Sequence, residues 1–119
     1  MYNFGKEEWA CKCGKCNKDF YDMNPETIQK FEAARIIAGI SFKINSGMRC
    51  MEHNLSIGGK KDSSHTEGYA GDIKATNSRE RFIIVDSLLK AGFKRIGIAK
   101  TFIHADDDPI KDECVIWVY

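Results

Sequence analysis

The stretch from His65 to Asp72 constrains this chain more than any other, because it places an imidazole and a carboxylate at the two ends of a short segment that contains two glycines. The two residues are too far apart in sequence for the i, i+4 spacing that puts two ligands on one face of a helix. A turn that leads into a strand can bring them together instead. Gly68 and Gly71 would let the backbone bend and approach other groups closely. We therefore predict a loop-to-strand segment here.

A third side chain of the same chemical kind follows later in the chain. His104 lies in Phe-Ile-His-Ala-Asp, a candidate strand from which its ring can point into the same cavity as His65 and Asp72. Two histidines and one aspartate form a ligand set suited to catalytic zinc, which takes three protein ligands and leaves the fourth tetrahedral position for water. The sequence therefore predicts a Zn²⁺ centre with the ligands His65, Asp72 and His104.

Composition excludes several other classes of function. The 119 residues are predicted to form one domain, and 43% of them are hydrophobic, enough for an ordinary core. With 18 basic and 17 acidic residues the formal net charge is +1, so we expect no nucleic-acid partner and no membrane partner. Residues 1–8 lack the apolar core of a signal peptide. The chain is expected to be cytoplasmic at synthesis and monomeric.

The pattern of apolar residues and breakers predicts an α+β fold with a small, mostly antiparallel sheet. Asn24 and Pro25 are typical of a helix start, and Gly39 of a helix end, so a helix is predicted over residues 25–38. A second helix follows Asn77 and ends before Gly92. Strands are predicted over 41–46, 69–75, 95–99, 101–105 and 114–119. A surface loop bordering the site is predicted over 55–64, and an irregular arm over 1–23.

The sequence also predicts which side chains are buried. The buried stripe of the second helix is predicted to be Phe82, Val85, Leu88 and Leu89. The predicted aromatic core residues are Trp9, Phe20, Phe31 and Trp117, with Phe4 as a further anchor of the arm.

Five cysteines leave three alternatives open. Cys13 and Cys16 have the spacing of one half of a zinc site, but a second closely spaced pair is missing, since Cys50 and Cys114 are single and Cys11 belongs to the same cluster. The thiols could be free, could bind a structural metal, or could form one disulfide between the cluster and Cys50. Free thiols are the default expectation for a chain without an export signal.

A longer set of residues resembles the M15 family of zinc peptidases. It comprises Ser-Gly-Met-Arg-Cys-Met-Glu-His-Asn from Ser46, then Gly58-Gly59, Ser64-His65, Gly68, Ala70, Asp72-Ile73 and Phe-Ile-His-Ala-Asp from Phe102, in the order of the family. The chain is most similar to the small D-alanyl-D-alanine carboxypeptidase-like domains and to the peptidoglycan peptidases of phage endolysins. The resemblance spans residues 4–106 and implies a hedgehog/DD-peptidase-like fold.

The resemblance also implies roles for single residues. His65, Asp72 and His104 match the zinc ligands, and Arg49 matches an arginine that faces the substrate, where its fork of donors suits a carboxylate or the scissile carbonyl. Ser64 and His53 match recurrent positions of the family, either at the rim of the substrate site or just behind the metal ligands. Many members carry an acidic general base three residues before the last histidine ligand, where this chain has Thr101. Asp106 is the first alternative as the base, with Arg49 assisting catalysis, although Asp106 could instead orient His104. Glu67 is the second alternative.

The function that the resemblance implies is a zinc metallopeptidase that cleaves peptide bonds in peptidoglycan stems or cross-links. The expected partner is therefore a peptidoglycan stem peptide. The enzyme would reach the cell wall after release, in phage lysis or as part of a virion. The alternative is a binding module of the same fold that keeps zinc but has lost turnover, as in hedgehog signalling domains, and Thr101 favours it. A weaker alternative is a zinc-ribbon adaptor built on the cysteines.

Overall fold

The computed structural model describes residues 5–119, so Phe4 lies outside the described residues. In chain order the α-helices and strands are α1 (Pro25–Ala38), β1 (Ile44–Ser46), α2 (Met51–Ser56), β2 (Ala70–Lys74), α3 (Ser78–Lys90), β3 (Arg95–Ile98), β4 (Phe102–Asp106) and β5 (Val115–Val118). Single 3-10 turns occur at Lys6–Trp9, Phe20–Asp22 and Ser64–Glu67. The predicted α+β class is confirmed. No helix among residues 5–119 has the length and apolar character needed to cross a membrane.

Helix α1 begins and ends where its capping residues predict. The Asn24 side chain accepts hydrogen bonds from the backbone N–H groups of Glu26 (3.1 Å) and Thr27 (3.2 Å), which satisfies two donors of the first turn. Pro25 occupies the first helical position, and Gly39 ends the helix with a left-handed φ of 70°. The predicted bounds of 25–38 are confirmed.

The five strands form one sheet in the order β1-β2-β4-β3-β5, in which only the β3–β5 pair is parallel. Strand β1 starts at Ile44 rather than at Ser41. Its partner β2 ends at Lys74, and Lys74 N–H already bonds to Lys43 C=O, so residues 41–42 extend beyond the paired length. Phe42 is nevertheless buried, as its alternating pattern predicts.

The two faces of the sheet have different environments because side chains alternate along each strand. Odd-numbered positions of β2 and β4 enter the core, where Ile73, Ile103 and Ala105 are fully buried with Phe31 of α1 and Leu88 of α3. Even-numbered positions point to the opposite face. The alternation therefore assigns Asp72 and His104 to the face that the helices leave uncovered.

Two of the core positions predicted for helix α3 are wrong. In α3, Phe82 is 73% exposed and Leu89 is 46% exposed, whereas Ile84 and Leu88 are buried. Successive residues of an α-helix are rotated by about 100° around its axis. Phe82 and Leu89 therefore both point roughly 100–120° away from the direction of Leu88, and both are rotated in the same sense. Helix α3 buries only the narrow stripe that faces α1 and the sheet, and this stripe does not reach Phe82 and Leu89.

The sequence pattern did not predict helix α2. It has only six residues, and its apolar members Met51 and Leu55 are 44% and 54% exposed, so no buried periodicity marks it. Its N-cap is Cys50, whose sulfur accepts a hydrogen bond from the His53 backbone N–H at 3.4 Å. Since cysteine is not among the preferred N-cap residues, the usual sequence signal for a helix start is absent here.

Candidate metal centre

The open face of the sheet carries a row of aligned residues. Asp72 on β2 is directly opposite His104 on β4, His104 is opposite Gly97 on β3, and Gly97 is opposite Trp117 on β5. A Cβ atom on Gly97 would lie 2.6 Å from the Trp117 indole nitrogen, so the missing side chain leaves room for the indole. The sheet register therefore brings two of the predicted ligands together.

The third predicted ligand arrives on the 3-10 turn before β2. Ser63 caps this turn by accepting a hydrogen bond from the His65 backbone N–H, and Gly68 ends it with a left-handed φ of 79°. His65 is 2% exposed, and its ring nitrogen Nδ1 lies 2.8 Å from the Gly47 carbonyl oxygen. Because a carbonyl only accepts, Nδ1 carries a proton, and the other ring nitrogen, Nε2, faces the site.

The three predicted ligands converge in the way a cation requires. Asp72 Oδ1 lies 3.2 Å from His65 Nε2 and 2.9 Å from His104 Nδ1. The three ligand atoms all lie within 4.8 Å of one another. His65 Nε2 is buried and has no hydrogen-bond partner among the described residues, although a carboxylate oxygen lies beside it. A cation between these atoms would satisfy both, and the donor set of two imidazoles and one carboxylate fits zinc.

Asp106 holds the other side of the His104 ring. Its Oδ2 atom lies 2.6 Å from His104 Nε2, and its Oδ1 atom accepts a hydrogen bond from Arg95 Nε at 2.7 Å. The carboxylate is 1% exposed and also accepts from the Asp108 backbone N–H at 3.3 Å. Both oxygens are therefore engaged, which is the geometry of a carboxylate that fixes the orientation of a ligating histidine.

Arg49 lies beside the candidate ligands, in the segment between β1 and α2. Its guanidinium donates to Ser46 Oγ (3.1 Å), to Asn54 Oδ1 (2.9 Å) and to Asp72 Oδ2 (3.4 Å). Asn54 is fully buried and its amide donates to the Lys60 carbonyl at 2.6 Å. These contacts hold the planar group rigidly, and Arg49 lines the cleft above the ligands.

Charge coupling dominates the electrostatics of the site. Burial acts to raise the pKa of Asp72, but the adjacent His65 and the hydrogen bond from His104 outweigh it and hold the pKa well below its usual range. Burial acts to lower the pKa of His104, but its hydrogen bonds to Asp106 and Asp72 outweigh it and raise that pKa. The pKa of Asp106 is lowered in the same way, since the bond to His104 overcomes burial.

A cleft of about 650 Å³ opens over the ligands, within the usual range for pockets that bind small molecules or peptide segments. Its walls include the predicted rim residue Ser64, whose hydroxyl donates to Asp108 at 2.9 Å. The loop before this serine also borders the cleft, as predicted. Trp117 was predicted as core but is half-buried at the cleft, with its ring 5.4 Å from that of His104. Further lining residues that sequence reasoning missed are Arg95, Lys111 and Tyr119.

Two predicted site residues, His53 and Glu67, lie elsewhere, and so does Thr101, which stands where many family members have an acidic base. His53 is on α2 beside the cysteine cluster and does not line the cleft. Glu67 is exposed on the far end of the 3-10 turn and also stays outside the cleft. Thr101 is exposed in the connection between β3 and β4, where its carbonyl accepts a hydrogen bond from Ala75 N–H.

Gly68, between two of the ligands, offers a test of how tightly the turn is packed. A Cβ atom at Gly68 would lie 2.5 Å from the Asp22 carbonyl oxygen, whereas one at Gly39, with a similar left-handed φ, would meet nothing within 4 Å. Gly39→Ala is expected to cost about 1–2 kcal/mol of unfolding free energy from backbone strain alone. Gly68→Ala should cost about 1–3 kcal/mol more from overpacking. Urea denaturation of both variants measures the difference, and equal losses would contradict the packing argument.

The pKa shifts predict how the stability of the metal-free protein depends on pH. The folded pKa of His104 is raised above its ordinary value of 6.5, so its stabilising contribution is complete below that value and is lost as pH rises through the folded pKa. Asp72 and Asp106 have lowered pKa values, so their contribution is present above 3.8 and is lost as pH falls. The free energy of unfolding of the zinc-free protein should therefore be greatest between pH 3.8 and pH 6.5.

His104→Asn is the matched variant for this pH profile. Subtracting its unfolding free energy from that of the wild type should give a difference that shrinks as pH rises from mildly acidic to mildly alkaline. A difference independent of pH over this range would contradict the assigned coupling. In the same range zinc affinity should rise with pH, because zinc replaces a proton on His104.

A buried set of two histidines and one carboxylate under an open cleft is the arrangement of a catalytic metal centre rather than of a closed structural one. The family model for Peptidase M15 matches residues 2–106, and the chain belongs to this family of zinc peptidases. A search of curated proteins finds no match. The family membership and the candidate site agree, because a zinc peptidase needs a catalytic metal centre and His65, Asp72 and His104 are grouped so that they could hold a metal ion.

Proposed function

We propose that the protein is a zinc-dependent metallopeptidase that hydrolyses peptide bonds of bacterial peptidoglycan. The observation that carries the proposal is the convergence of His65, Asp72 and His104 under a cleft that Arg49 lines. These three residues would hold the zinc ion. Zinc in such a set supplies Lewis-acid polarisation of a peptide carbonyl and activates water as a nucleophile near neutral pH.

The charges around the cleft support a substrate that carries carboxylates. Four cationic side chains line it, Arg49, Arg95, Lys60 and Lys111, against two side-chain carboxylates among the described residues, Asp72 and Asp106, so the lining carries an excess of positive charge. Peptidoglycan stem peptides are anionic and contain free carboxylates near their cleavable bonds. The fork of donors on Arg49 can bind such a carboxylate or stabilise the charge that develops on the scissile carbonyl oxygen.

Asp106 acts in this proposal as a positioning residue. Its two oxygens are taken up by His104, Arg95 and the Asp108 backbone, which leaves it to orient the His104 ring and to increase the basicity of its free nitrogen. Of the two acidic residues considered as the general base, Asp106 lines the cleft and Glu67 does not.

The test is digestion of purified peptidoglycan by the zinc-loaded protein, with the released fragments identified by mass spectrometry and His65→Ala as the blank. Defined fragments that are absent from the blank would support the peptidase and identify the bond. If a folded, zinc-containing protein releases nothing from peptidoglycan or from its isolated stem peptides, the proposed activity is wrong.

One observation favours a second candidate, a binding module that retains zinc without turnover. Among residues 5–119 the cleft presents no unpaired carboxylate that could accept a proton from water, because both of its carboxylates are engaged. Such a module would bind peptidoglycan fragments in a zinc-dependent way without cleaving them. Isothermal titration with an isolated stem peptide, followed by mass spectrometry of the same sample, separates binding alone from binding with cleavage.

A further inference from the structure

Four of the five cysteines come together at one place on the surface, remote in sequence from the His65–Asp72 stretch. Cys11, Cys13 and Cys16 lie in the segment before α1, and Cys50 immediately precedes α2. Their sulfur atoms all lie within 4.8 Å of one another. Cys13 and Cys16 have the spacing of one half of a zinc site, and Cys50 together with Cys11 supplies the other half. We propose that these four cysteines bind a structural zinc ion.

The distances between the sulfurs fit a shared metal better than disulfides. With a Zn–S distance of about 2.3 Å, the sulfurs of a tetrahedral site lie about 3.8 Å apart. Cys11 and Cys50 sulfurs are 3.8 Å apart, and Cys13 and Cys16 sulfurs are 3.4 Å apart. A disulfide would need about 2.05 Å. Around a shared metal, the Cys11–Cys50 and Cys13–Cys16 contacts would be two opposite edges of one tetrahedron of sulfur atoms.

Backbone donors around the sulfurs provide a second, independent observation. The N–H groups of Lys15 and Cys16 both point at Cys13 Sγ, each at 3.3 Å. Gly14, with a left-handed φ of 73°, allows the tight turn that directs them there. Such donors strengthen when the acceptor is charged, so the turn is suited to a thiolate that ligates a metal.

The Cys50 side of the cluster has the same kind of surroundings. Cys50 N–H donates to Cys11 Sγ at 3.3 Å, and His53 N–H donates to Cys50 Sγ at 3.4 Å. Four thiolates with one Zn²⁺ leave two negative charges, and the surface pocket at the cluster is lined by two cations, Lys12 and Lys15, and by one carboxylate, Glu52. The cluster therefore has both the hydrogen-bond donors and the countercharges that a tetrathiolate centre requires.

The position of the cluster gives the metal a role in the fold. Between the turns at Lys6–Trp9 and Phe20–Asp22 the chain has no helix or strand, and the bond from Cys11 N–H to Lys18 C=O (2.9 Å) is the backbone hydrogen bond that closes this segment on itself. A metal would fasten the segment to Cys50. Cys50 is the neighbour of Arg49, so the same metal would hold the arginine of the cleft in place.

The number of zinc ions per chain tests this inference separately from the proposed function. Measured by elemental analysis of the reduced full chain, His65→Ala should retain one zinc, and His65→Ala combined with Cys13→Ser should retain none. Cys114→Ser is the matched control, because Cys114 is an exposed thiol outside the cluster, and in the His65→Ala background it should keep the one zinc. A His65→Ala chain that binds no zinc overturns the inference, whatever the wild type hydrolyses.

Cobalt substitution covers the case in which Cys13→Ser fails to fold. Cobalt-loaded His65→Ala should show the thiolate-to-cobalt charge-transfer absorption and the intense visible bands of a tetrahedral sulfur site. If the folded chain shows neither, or if its intact mass under mild reduction reveals disulfides in the cluster, the inference is wrong. Trypsin gives a further readout, because cleavage at Lys12, Lys15 and Lys18 should accelerate when the cluster is emptied.

Discussion

Asp72→Asn is expected to remove zinc from the His65 site and to lower peptidoglycan hydrolysis by more than about 100-fold, since loss of an outer-shell partner alone costs about 10–100-fold in metal affinity or activity. The Asp72 carboxylate lies within 3.4 Å of a donor or lone pair from each of His65, His104 and Arg49. Asparagine keeps the shape of the side chain but removes the negative charge that all three share. Zinc analysis and fragment release from peptidoglycan measure the two effects.

Asp86→Asn is the control for this substitution. Asp86 lies on α3 and pairs with Lys90 at 3.0 Å on the surface, so its loss should leave zinc content and hydrolysis unchanged. If Asp72→Asn retained both its zinc and its wild-type rate, Asp72 would not be a ligand and the metal centre would have to be reassigned.

Arg49→Lys is expected to lower kcat/KM for a stem peptide by about 10²–10³-fold, the usual effect of removing a donor that stabilises developing charge. Lysine keeps the positive charge but cannot make the parallel contacts to Ser46, Asn54 and Asp72 while presenting a second donor to the substrate. Steady-state kinetics on an isolated peptide would separate an effect on KM from one on kcat.

The matched control is Arg79→Lys, an exposed arginine on α3, which should behave as the wild type. Zinc content distinguishes the two roles of Arg49. A purely structural ion-pair partner would change stability and zinc occupancy, with normal kinetics for the zinc-loaded fraction. A substrate-facing arginine should lower kcat/KM at full zinc occupancy, and normal kinetics at full occupancy would contradict the assignment.

Local sequence signals predicted much of the fold and the candidate ligand set. The helix bounds of α1 follow from Asn24, Pro25 and Gly39, because capping acts through the backbone groups of neighbouring residues. The alternation in β2 and β4 likewise assigns Asp72 and His104 to one face, since side-chain direction along a strand depends only on position. The His65–Asp72 stretch and His104 could be chosen as ligands because their residue types and glycines carry the chemistry.

Long-range contacts decided the rest. The role of Asp106 depends on Arg95, which arrives on the neighbouring strand, and the place of Trp117 at the cleft depends on the parallel pairing of β5 with β3. The sequence by itself determined which residues have metal-binding chemistry and which face of a strand they share. Only the tertiary structure decided that Cys50 joins the cysteines of the N-terminal segment, because the spatial distance between parts of a chain far apart in sequence is set by the packing of the whole fold.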